Sequence, residues 1–254
     1  MADPLPAGYV RVTARRCTAV ARAELEDDAR AMLAEGTLYE AAARNLGARV
    51  LEGRGIAYAI ALPVTGSRVV VRHNRHGGLF APLTKDYFLP PTRAPYELDA
   101  SIRLAHVGVR TPQVVMYGLR RVYGLLRTAD VVTLEVVGGR DLASYLMPGE
   151  VPALRSEAWR ATRALVRSLN AAGARHHDLN VKNVLLTDGD GGLVAWVLDV
   201  DRVRFGQAHA ARVRVGNATR LLRSARKWRD ERGAVLDETE LTALGTRHDP
   251  VREL

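Results

Sequence analysis

A short polar segment in the C-terminal half of the chain carries residues whose types and spacing suit chemistry. Asp178 is followed five residues later by Asn183, which precedes the apolar run Val184–Leu186. A second acid, Asp199, ends the hydrophobic segment Val197–Leu198. A loop carboxylate can orient a hydroxyl group and accept its proton. An amide oxygen and another carboxylate are hard oxygen ligands of the kind that hold Mg²⁺ on nucleotide phosphates. The pattern therefore predicts phosphoryl transfer to a hydroxyl acceptor.

The loop and the strand after it match the catalytic and metal-binding segments of protein kinases. The loop reads His176-His177-Asp178-Leu179-Asn180-Val181-Lys182-Asn183, and Asp199 comes sixteen residues after its end. A surface turn has no need for these residue types at this spacing. We interpret Asp178 as the catalytic base or hydroxyl orienter, and Asn183 and Asp199 as catalytic residues that bind Mg²⁺. His176 is expected to brace the loop, because the histidine of this motif is structural.

Upstream, the segment from Arg49 to Arg72 reads as three consecutive antiparallel strands that would carry the nucleotide-binding groups. The first turn, Gly53-Arg54-Gly55, suits a hairpin that covers phosphates, since glycine lets backbone amides approach an anion. Any hairpin can use glycine in its turn, so this signal is weak without the later motif.

Arg72 ends the third of these strands, where a protein kinase has a lysine. An arginine there would contact the α- and β-phosphates of ATP through its planar fork, or would face solvent at the strand end. Glu97 lies near the start of a helix predicted from Ala94 to Val107. Its carboxylate would pair with Arg72, although the helix dipole alone also favours an acid at that position. Together with Gly53 and Gly55, these two residues form the predicted ATP-binding set.

Three further basic side chains are candidates for substrate binding. His73 and Arg75 open a loop that contains the pair Gly77-Gly78, and Lys182 lies inside the catalytic loop. The first loop would form either a cover over an anionic substrate or a solvated turn. Lys182 would either approach the transferred phosphate or face solvent. We assign His73, Arg75 and Lys182 to binding of an anionic acceptor.

The composition also favours an anionic partner. The formal net charge is +9, and of the 37 basic residues only Lys85, Lys182 and Lys227 are lysines. Such a balance fits a nucleotide, phospholipid head groups, an acidic sugar or nucleic acid. No aromatic-interleaved basic stretch or known DNA-binding motif is present, so we expect no nucleic-acid partner. The single Cys17 excludes an internal disulfide.

The N-terminus and the apolar pattern predict a cytoplasmic location. No run of about 18 apolar residues occurs, so we expect no membrane span. The segment Met1–Pro6 contains an acid and two prolines where a signal peptide needs a basic start and an apolar stretch.

The order of the predicted elements indicates an α+β, protein-kinase-like fold. Residues 49–137 would form a small, antiparallel nucleotide-binding lobe with one helix, and residues 138–254 a larger, mainly helical catalytic lobe. Residues 1–48 are expected to be an N-terminal extension packed on the small lobe. Only about ten residues separate Asp201 from the next predicted helix, at 211–229, which leaves no room for a long activation segment. We therefore expect a small or lipid-linked acceptor rather than a protein.

Over roughly residues 49 to 230 the sequence resembles the 3-deoxy-D-manno-octulosonic acid (Kdo) kinases of lipopolysaccharide biosynthesis. The similar segments are Gly53-Arg54-Gly55, Val70-Val71-Arg72-His73-x-Arg75-x-Gly77-Gly78-Leu79, His176-x-Asp178-Leu179-Asn180-x-x-Asn183-Val184-Leu185-Leu186, Leu198-Asp199-x-Asp201-Arg202 and Asn217-x-x-Arg220-Leu221-x-Arg223-Ser224. The Arg-His/Gly-Gly segment and the Asp-Leu-Asn-x-x-Asn loop are the most specific of these. The first 48 residues show no match.

The resemblance implies ATP- and Mg²⁺-dependent phosphorylation of a Kdo hydroxyl on a Kdo–lipid A precursor. It also implies a peripheral position on the anionic, cytoplasmic face of the inner membrane. Kinases of the same fold that act on heptose or aminoglycosides are alternatives, although a chain of net charge +9 suits a cationic aminoglycoside poorly. A pseudokinase or lipid-surface binding module is a further alternative, suggested by the missing third-strand lysine.

Overall fold

A computed structural model describes residues 4–51, 55–74 and 86–245. The chain divides into two compact units. The N-terminal unit comprises Met1–Ile102 and Pro112–Glu135, and the C-terminal unit comprises Arg103–Thr111 and Val136–Leu254. The second division lies two residues before the predicted end of the small lobe at residue 137.

An antiparallel sheet of seven strands forms the frame of the N-terminal unit, as far as its residues are described. Along the sheet the strands follow the order β1-β2-β6-β7-β5-β4-β3, and each neighbouring pair is antiparallel. Their bounds are β1 (Tyr9–Ala14), β2 (Cys17–Arg22), β3 (Arg49–Leu51), β4 (Ala57–Ala61), β5 (Arg68–His73), β6 (Val114–Arg121) and β7 (Arg127–Leu134). The three predicted strands of the nucleotide-binding hairpin are β3, β4 and β5.

The first 48 residues take part in this sheet instead of packing on it as an extension. β2 pairs with β6, with Ala19 opposite Gly118, and β1 continues the sheet beyond β2. Ala19 and Ala21 are fully buried, so the small side chains of β2 let core residues close over the strand. The pairing also satisfies the backbone groups along one edge of β6, which would otherwise be open.

Two helices lie in the first 48 residues of this unit, in addition to the one expected in the small lobe. They are α1 (Glu26–Glu35) and α2 (Leu38–Arg44), and Thr37 with Glu40 forms a capping box at the start of α2. The expected helix is α3 (Arg93–His106), whose residues up to Ile102 belong to the N-terminal unit.

Apolar side chains cover both faces of the sheet, because successive strand residues point to opposite sides. Val132 belongs to the buried cluster that includes Met32 and Leu38 of α1 and α2. Its neighbour Val131 belongs to the second cluster, which includes Leu98 of α3. The sheet is therefore held between two helical layers.

The C-terminal unit combines helices with short strands. Its helices are α4 (Leu142–Tyr145), α5 (Pro152–Ala171), α6 (Ala211–Arg232) and α7 (Glu238–Gly245). Its strands are β8 (Arg140–Asp141), β9 (Ala174–His176), β10 (Val184–Gly189), β11 (Gly192–Val197) and β12 (Val203–Phe205). β10 pairs with β11 and β8, and β9 pairs with β12. The long helix α5 buries Trp159, Leu165, Val166 and Leu169.

Among the described residues, no helix is both long enough and apolar enough to cross a membrane.

Candidate active site

The catalytic loop, defined here as residues 177–183, connects β9 to β10 in the C-terminal unit. Leu179 and Val181 are almost fully buried, so they anchor the loop in the core of this unit. The main-chain nitrogen of Leu198 donates to the carbonyl of Asn183 at 2.9 Å, which ties the end of the loop to the end of β11. The loop is thus held by apolar contacts and by main-chain bonds.

His176 joins this loop to the segment after β11. Its Nδ1 accepts a hydrogen bond from the main-chain nitrogen of Asp178 (3.1 Å), and its Nε2 donates to the carbonyl of Leu198 (2.9 Å). Because an amide N–H only donates and a carbonyl only accepts, the ring carries its single proton on Nε2 and is neutral. Burial lowers the pKa of His176, which favours the same neutral form. The geometry agrees with the bracing role predicted for this histidine.

Two asparagine side chains shape the loop around Asp178. The Nδ2 atoms of Asn180 and Asn183 both donate to the main-chain carbonyl of Asp178, at 2.8 and 2.9 Å. The Oδ1 atom of Asn180 accepts from the main-chain nitrogens of Lys182 and Asn183. No donor to Oδ1 of Asn183 is found within the described residues. That oxygen is the atom with which an asparagine binds a hard cation.

Asp199 adopts a backbone conformation that L-residues rarely take. Its φ and ψ are 54° and 51°, in the left-handed region, which aspartate and asparagine tolerate better than most residues. The residue is exposed, and in the described part of the chain its carboxylate makes no hydrogen bond or ion pair. An unusual backbone conformation at an exposed carboxylate is typical of functional positions.

Lys182 is engaged inside the C-terminal unit. Its Nζ donates to Oδ2 of Asp141 and lies 5.9 Å from the ring centroid of Trp228. Asp141 in turn caps α4 by accepting from the main-chain nitrogen of Ser144 at 2.9 Å. The side chain of Lys182 is half exposed. Its contact with an acceptor stays a prediction.

Helix α6 holds β9 and the catalytic loop through two polar side chains to which the sequence assigned no role. Oδ1 of Asn217 accepts from the main-chain nitrogen of His176, and its Nδ2 donates to the carbonyl of Ala174, both at 2.9 Å. Oγ of Ser224 accepts from the main-chain nitrogen of Val181 at 3.2 Å. Asn217 and Ser224 are seven residues apart, so they share one helix face. That spacing, in a segment already similar to Kdo kinases, was the available signal.

In the N-terminal unit the structure forms the ion pair that the sequence predicted. Nη2 of Arg72, on β5, donates to Oε1 of Glu97, on α3. Nη1 of the same arginine donates to Oδ1 of Asn74 at 3.2 Å. Glu97 is only 2% exposed. Its buried carboxylate therefore holds the guanidinium group of Arg72 in place. The contact with nucleotide phosphates stays a prediction.

His73, the residue after Arg72, lies between two carboxylates. Its Nδ1 is 2.6 Å from Oδ1 of the buried Asp130, and its Nε2 is 3.6 Å from Oδ2 of Asp86. The other oxygen of Asp130 accepts from the main-chain nitrogen of Tyr39 in α2 (3.0 Å). Asp130 therefore connects β5, β7 and α2, a role that the sequence did not reveal. Binding of substrate by His73 stays a prediction.

Two predicted residues fall outside the described ranges. Gly53 belongs to residues 52–54 and Arg75 to residues 75–85, so their predicted roles stay predictions. Gly55 is described and lies in the bend that leads into β4.

The residues of the C-terminal unit fit a magnesium ion held partly by phosphates. Among the described residues no group of three or more histidine, cysteine, aspartate and glutamate side chains is arranged for a metal. A metal held only by protein would need such a group, whereas Mg²⁺ on a nucleotide needs one or two protein oxygens. The exposed carboxylate of Asp199 and Oδ1 of Asn183 are oxygens of that type.

Comparison with known proteins places these residues in a family context. The model of the lipopolysaccharide kinase (Kdo/WaaP) family matches residues 44–240. The 3-deoxy-D-manno-octulosonic acid kinase of Vibrio parahaemolyticus serotype O3:K6 is 31% identical over 199 residues, which cover 73% of this chain and 79% of the relative. The enzyme of the same name from Haemophilus influenzae (strain Rd) is 31% identical over 182 residues, which cover 69% and 73%.

Solved structures confirm the predicted α+β, protein-kinase-like fold. A WaaP structure in complex with acyl carrier protein matches with a TM-score of 0.52 and 21% identity, covering 84% of this chain and 85% of that chain. The Rio2 kinase–ADP/Mg²⁺–phosphoaspartate complex from Chaetomium thermophilum matches with a TM-score of 0.50 and 14% identity, covering 95% and 73%. At these identities the structures inform on the fold alone. The family match spans the predicted ATP-binding pair and the whole catalytic loop, and the chain therefore belongs to the lipopolysaccharide kinase (Kdo/WaaP) family.

Proposed function

We propose that this protein transfers the γ-phosphate of ATP to a hydroxyl group of a Kdo residue on a Kdo–lipid A precursor, with Mg²⁺ as the metal. Membership of the lipopolysaccharide kinase family supports phosphoryl transfer. The relatives named 3-deoxy-D-manno-octulosonic acid kinase support Kdo as the sugar that is phosphorylated.

The observation that carries the proposal is the pattern of hydrogen bonds in the catalytic loop, which fixes its main chain and leaves two side-chain oxygen groups available. The ring of His176 and the amide groups of Asn180 and Asn183 bond to the main chain of the loop and of its neighbouring segment. Within the described residues these bonds leave Oδ1 of Asn183 and the carboxylate of Asp199 without a donor. The loop is thus rigid in its main chain, and its oxygens suit a phosphate-bound cation.

Asp178 is the residue proposed to act on the acceptor. Its carboxylate orients the Kdo hydroxyl and takes its proton while the hydroxyl oxygen forms a bond to the γ-phosphorus. The bond from that phosphorus to the β–γ bridging oxygen breaks, and ADP leaves. Asn183 and Asp199 would hold Mg²⁺, which neutralises charge on the phosphates when bound.

Arg72 is proposed to take the role that a lysine has in protein kinases. Glu97 and Asn74 hold its guanidinium through two different Nη atoms, which restrains the direction of the fork. A restrained guanidinium bonds two phosphate oxygens at once and loses little side-chain entropy. The predicted turn with Gly53 and Gly55 would cover the same phosphates. This reading removes the only argument for a pseudokinase, which was the missing lysine.

The exposed face of α6 supports a peripheral position on an anionic membrane. Arg223 and Arg226 are exposed and make no ion pair within the described residues. The charged Lys227 and Asp230 beside them leave this face without an apolar stripe, so adsorption would be electrostatic rather than by insertion. We infer a peripheral position on the cytoplasmic face of the inner membrane, which the resemblance to Kdo kinases implies and which this basic face supports.

The test is transfer of the γ-phosphate of ATP to a Kdo–lipid A acceptor by the full-length protein. We expect a phosphorylated Kdo product that requires Mg²⁺, and we expect Asp178→Ala to reduce kcat by a factor of about 10²–10⁴. The main-chain bonds of Asp178 with His176, Asn180 and Asn183 do not need its side chain, and the melting temperature of the variant separates lost chemistry from lost folding. Lys182→Ala serves as a comparison variant from the same loop.

Two other outcomes would reject parts of the proposal. Phosphorylation of a heptose-containing acceptor or an aminoglycoside, with Kdo–lipid A left unchanged, would keep the kinase and replace its substrate. Binding of ATP without transfer to any of these acceptors would reject the kinase reaction itself.

A further inference from the structure

The outward face of the β9–β12 ribbon brings positive charges together beside the catalytic loop. In the antiparallel register Arg175 lies directly opposite Arg204. Directly opposed residues point to the same face with their Cβ atoms about 5 Å apart, and like charges in that position destabilise a sheet. His177, two residues after Arg175, is exposed, and its main-chain nitrogen donates to the carbonyl of Arg202 (3.0 Å).

Helix α6 accommodates one of these arginines through a glycine. The side chain of Arg175 crosses Gly216, where a Cβ would lie 2.7 Å from its Nε and 3.2 Å from its Cζ. A glycine inside a helix costs about 0.5–1 kcal/mol relative to alanine. The close approach of Arg175 explains why position 216 has no side chain despite this cost. Arg220 lies one helical turn later on the same face and is exposed.

Two arginines of this cluster are not offset by an ion pair within the described residues. Arg175 and Arg220 have no carboxylate partner in the part of the chain that the structure describes. Nη1 of Arg204 donates to the carbonyl oxygens of Asp201 and Val203, at 3.3 and 2.8 Å. Desolvation and the positive charges of Arg175, Arg204 and Arg220 lower the pKa of His177. The strand register and the contact at Gly216 thus bring the three arginines to neighbouring positions.

We propose that Arg175, His177, Arg204 and Arg220 form a binding site for an oxyanion, either a phosphate or a carboxylate, that belongs to the acceptor. This site is called the Arg175 site below. The proposal rests on the proposed function, because it assigns the anion to the molecule that Asp178 phosphorylates. A bound oxyanion would offset the repulsion between Arg175 and Arg204, and guanidinium groups match its geometry through paired N–H donors.

The position in the chain favours the acceptor as the source of the anion. His177 is the residue immediately before Asp178, so an anion held there lies within a few ångströms of the main chain that carries the base. A Kdo–lipid A acceptor has a carboxylate on the sugar and phosphates on the lipid. Holding one of these groups would set the position of the hydroxyl relative to Asp178.

The first measurement is steady-state kinetics with Kdo–lipid A for Arg175→Gln and Arg220→Gln. We expect each variant to raise the acceptor KM about tenfold while the ATP KM stays within about twofold, the pattern of lost substrate binding. Arg167→Gln is the matched control, because Arg167 is an exposed arginine on α5 without an ion pair among the described residues. An acceptor KM that changes no more than in this control would overturn the proposal.

A second variant separates local geometry from total charge. Gly216→Ala keeps every charged group, but its Cβ would force Arg175 to move, since the contact of 2.7 Å is shorter than real Cβ contacts. We expect this variant to raise the acceptor KM several-fold, with a melting temperature at or above that of the wild type because alanine favours helix. A wild-type KM in Gly216→Ala and Arg175→Gln together would reject the site.

Binding of inorganic phosphate distinguishes failure of the site from failure of the proposed function. In calorimetry without acceptor, we expect the wild type to bind phosphate and Arg175→Gln to bind it at least fivefold more weakly. If the wild type transfers no phosphate to Kdo–lipid A but still shows this difference, the proposed function fails and the anion site stands. If phosphate binding needs Arg175 while the acceptor KM does not, free phosphate is the ligand and the assignment to the acceptor is wrong.

Discussion

The two units of the molecule prepare groups for phosphate chemistry in different ways. In the N-terminal unit the functional cation, Arg72, is held by a charge, the buried carboxylate of Glu97. In the C-terminal unit the main chain of the catalytic loop is held by neutral groups, namely the ring of His176 and the amides of two asparagines, and the ion pair of Lys182 with Asp141 engages only a side chain. Asp199 keeps an exposed carboxylate that has no partner within the described residues.

The difference follows from what each group is proposed to bind. A cation that is to contact the nucleotide must point in one direction, and an internal ion pair provides this while the remaining N–H donors stay available. A carboxylate that is to bind a metal would lose affinity if a cation of the protein already occupied its oxygens. Neutral hydrogen bonds to the main chain position the loop without that competition. Each prediction below changes one residue in one of the two units.

The largest effect is expected from the carboxylate that has no internal partner. Asp199→Asn removes the negative charge but keeps a residue that tolerates the left-handed backbone conformation. Because a metal contributes several kcal/mol to transition-state stabilisation, we expect kcat to fall by about 10³-fold. The free energy of unfolding should change by less than about 0.5 kcal/mol. Kinetics at increasing Mg²⁺ and urea unfolding followed by tryptophan fluorescence check this.

Trp159, Trp196 and Trp228 are the three tryptophans of the chain, and all belong to the C-terminal unit. Their fluorescence therefore reports on the unit that contains the catalytic loop. An active Asp199→Asn protein with unchanged Mg²⁺ dependence would exclude Asp199 as a metal ligand.

Breaking the ion pair of the N-terminal unit is expected to cost stability as well as activity. Glu97→Gln leaves the guanidinium of Arg72 facing a neutral amide, and we expect a loss of about 1–3 kcal/mol, moderated by the partial exposure of Arg72. Hydrogen exchange of the β5 and α3 amides measures this loss within the unit. The ATP KM should rise at the same time.

Glu26→Gln is the matched control for this variant. Glu26 pairs with Arg30 one turn away on α1, and both side chains are exposed, so its loss should cost no more than about 0.5 kcal/mol. Equal costs in the two variants would show that the Arg72–Glu97 pair contributes no more than a surface pair.

The buried, neutral ring of His176 predicts that the stability of the folded protein depends on pH. The pKa of His176 is lowered by burial, whereas in the unfolded chain it is near its usual value of about 6.5. Below about pH 6.5 the unfolded state binds a proton that the folded state rejects, so stability falls as the pH is lowered from there. The slope contributed by this residue is at most about 1.4 kcal/mol per pH unit. Nearby Asp178, Asp199 and Asp201 oppose the shift but do not reverse it.

The check compares unfolding of the wild type and of His176→Gln between pH 5 and pH 8, followed by tryptophan fluorescence. The variant should be less stable at neutral pH and should show a flatter dependence below pH 6.5. His106→Gln is the control, because His106 is an exposed histidine outside the catalytic loop. A wild-type slope in His176→Gln would mean that another group titrates.

The smallest effect is expected where α6 meets the loop. Ser224→Ala removes the acceptor for the main-chain nitrogen of Val181, and we expect a loss of about 1 kcal/mol with a decrease of a few-fold in kcat. Ser168→Ala is the matched control, since the hydroxyl of Ser168 donates only to Ala164 in its own helix. Equal kcat values in the two variants would show that α6 does not position the loop.

Residues at short spacing are the ones for which the sequence supports a prediction most directly. Asp178 and Asn183 are five positions apart, and their proposed roles follow from residue type and spacing within one loop. The ion pair between Arg72 and Glu97 also formed as predicted, because the local patterns placed one residue on a strand and the other near the start of a helix. The sequence assigned no role to Asp130, Asn217 and Ser224, whose partners lie 57, 41 and 43 residues away.

The sequence by itself determined the chemistry of this protein, since it sets which side chains can accept a proton, bind a cation or contact a phosphate. It also determined the helices and strands whose apolar spacing is local. Only the tertiary structure decided that residues 9–22 complete the sheet, that His176 is neutral, and that Arg175 opposes Arg204. These features depend on pairs of groups far apart in the chain. A hydrogen bond forms only within about 3 Å and in the correct direction, and packing of the whole unit sets both.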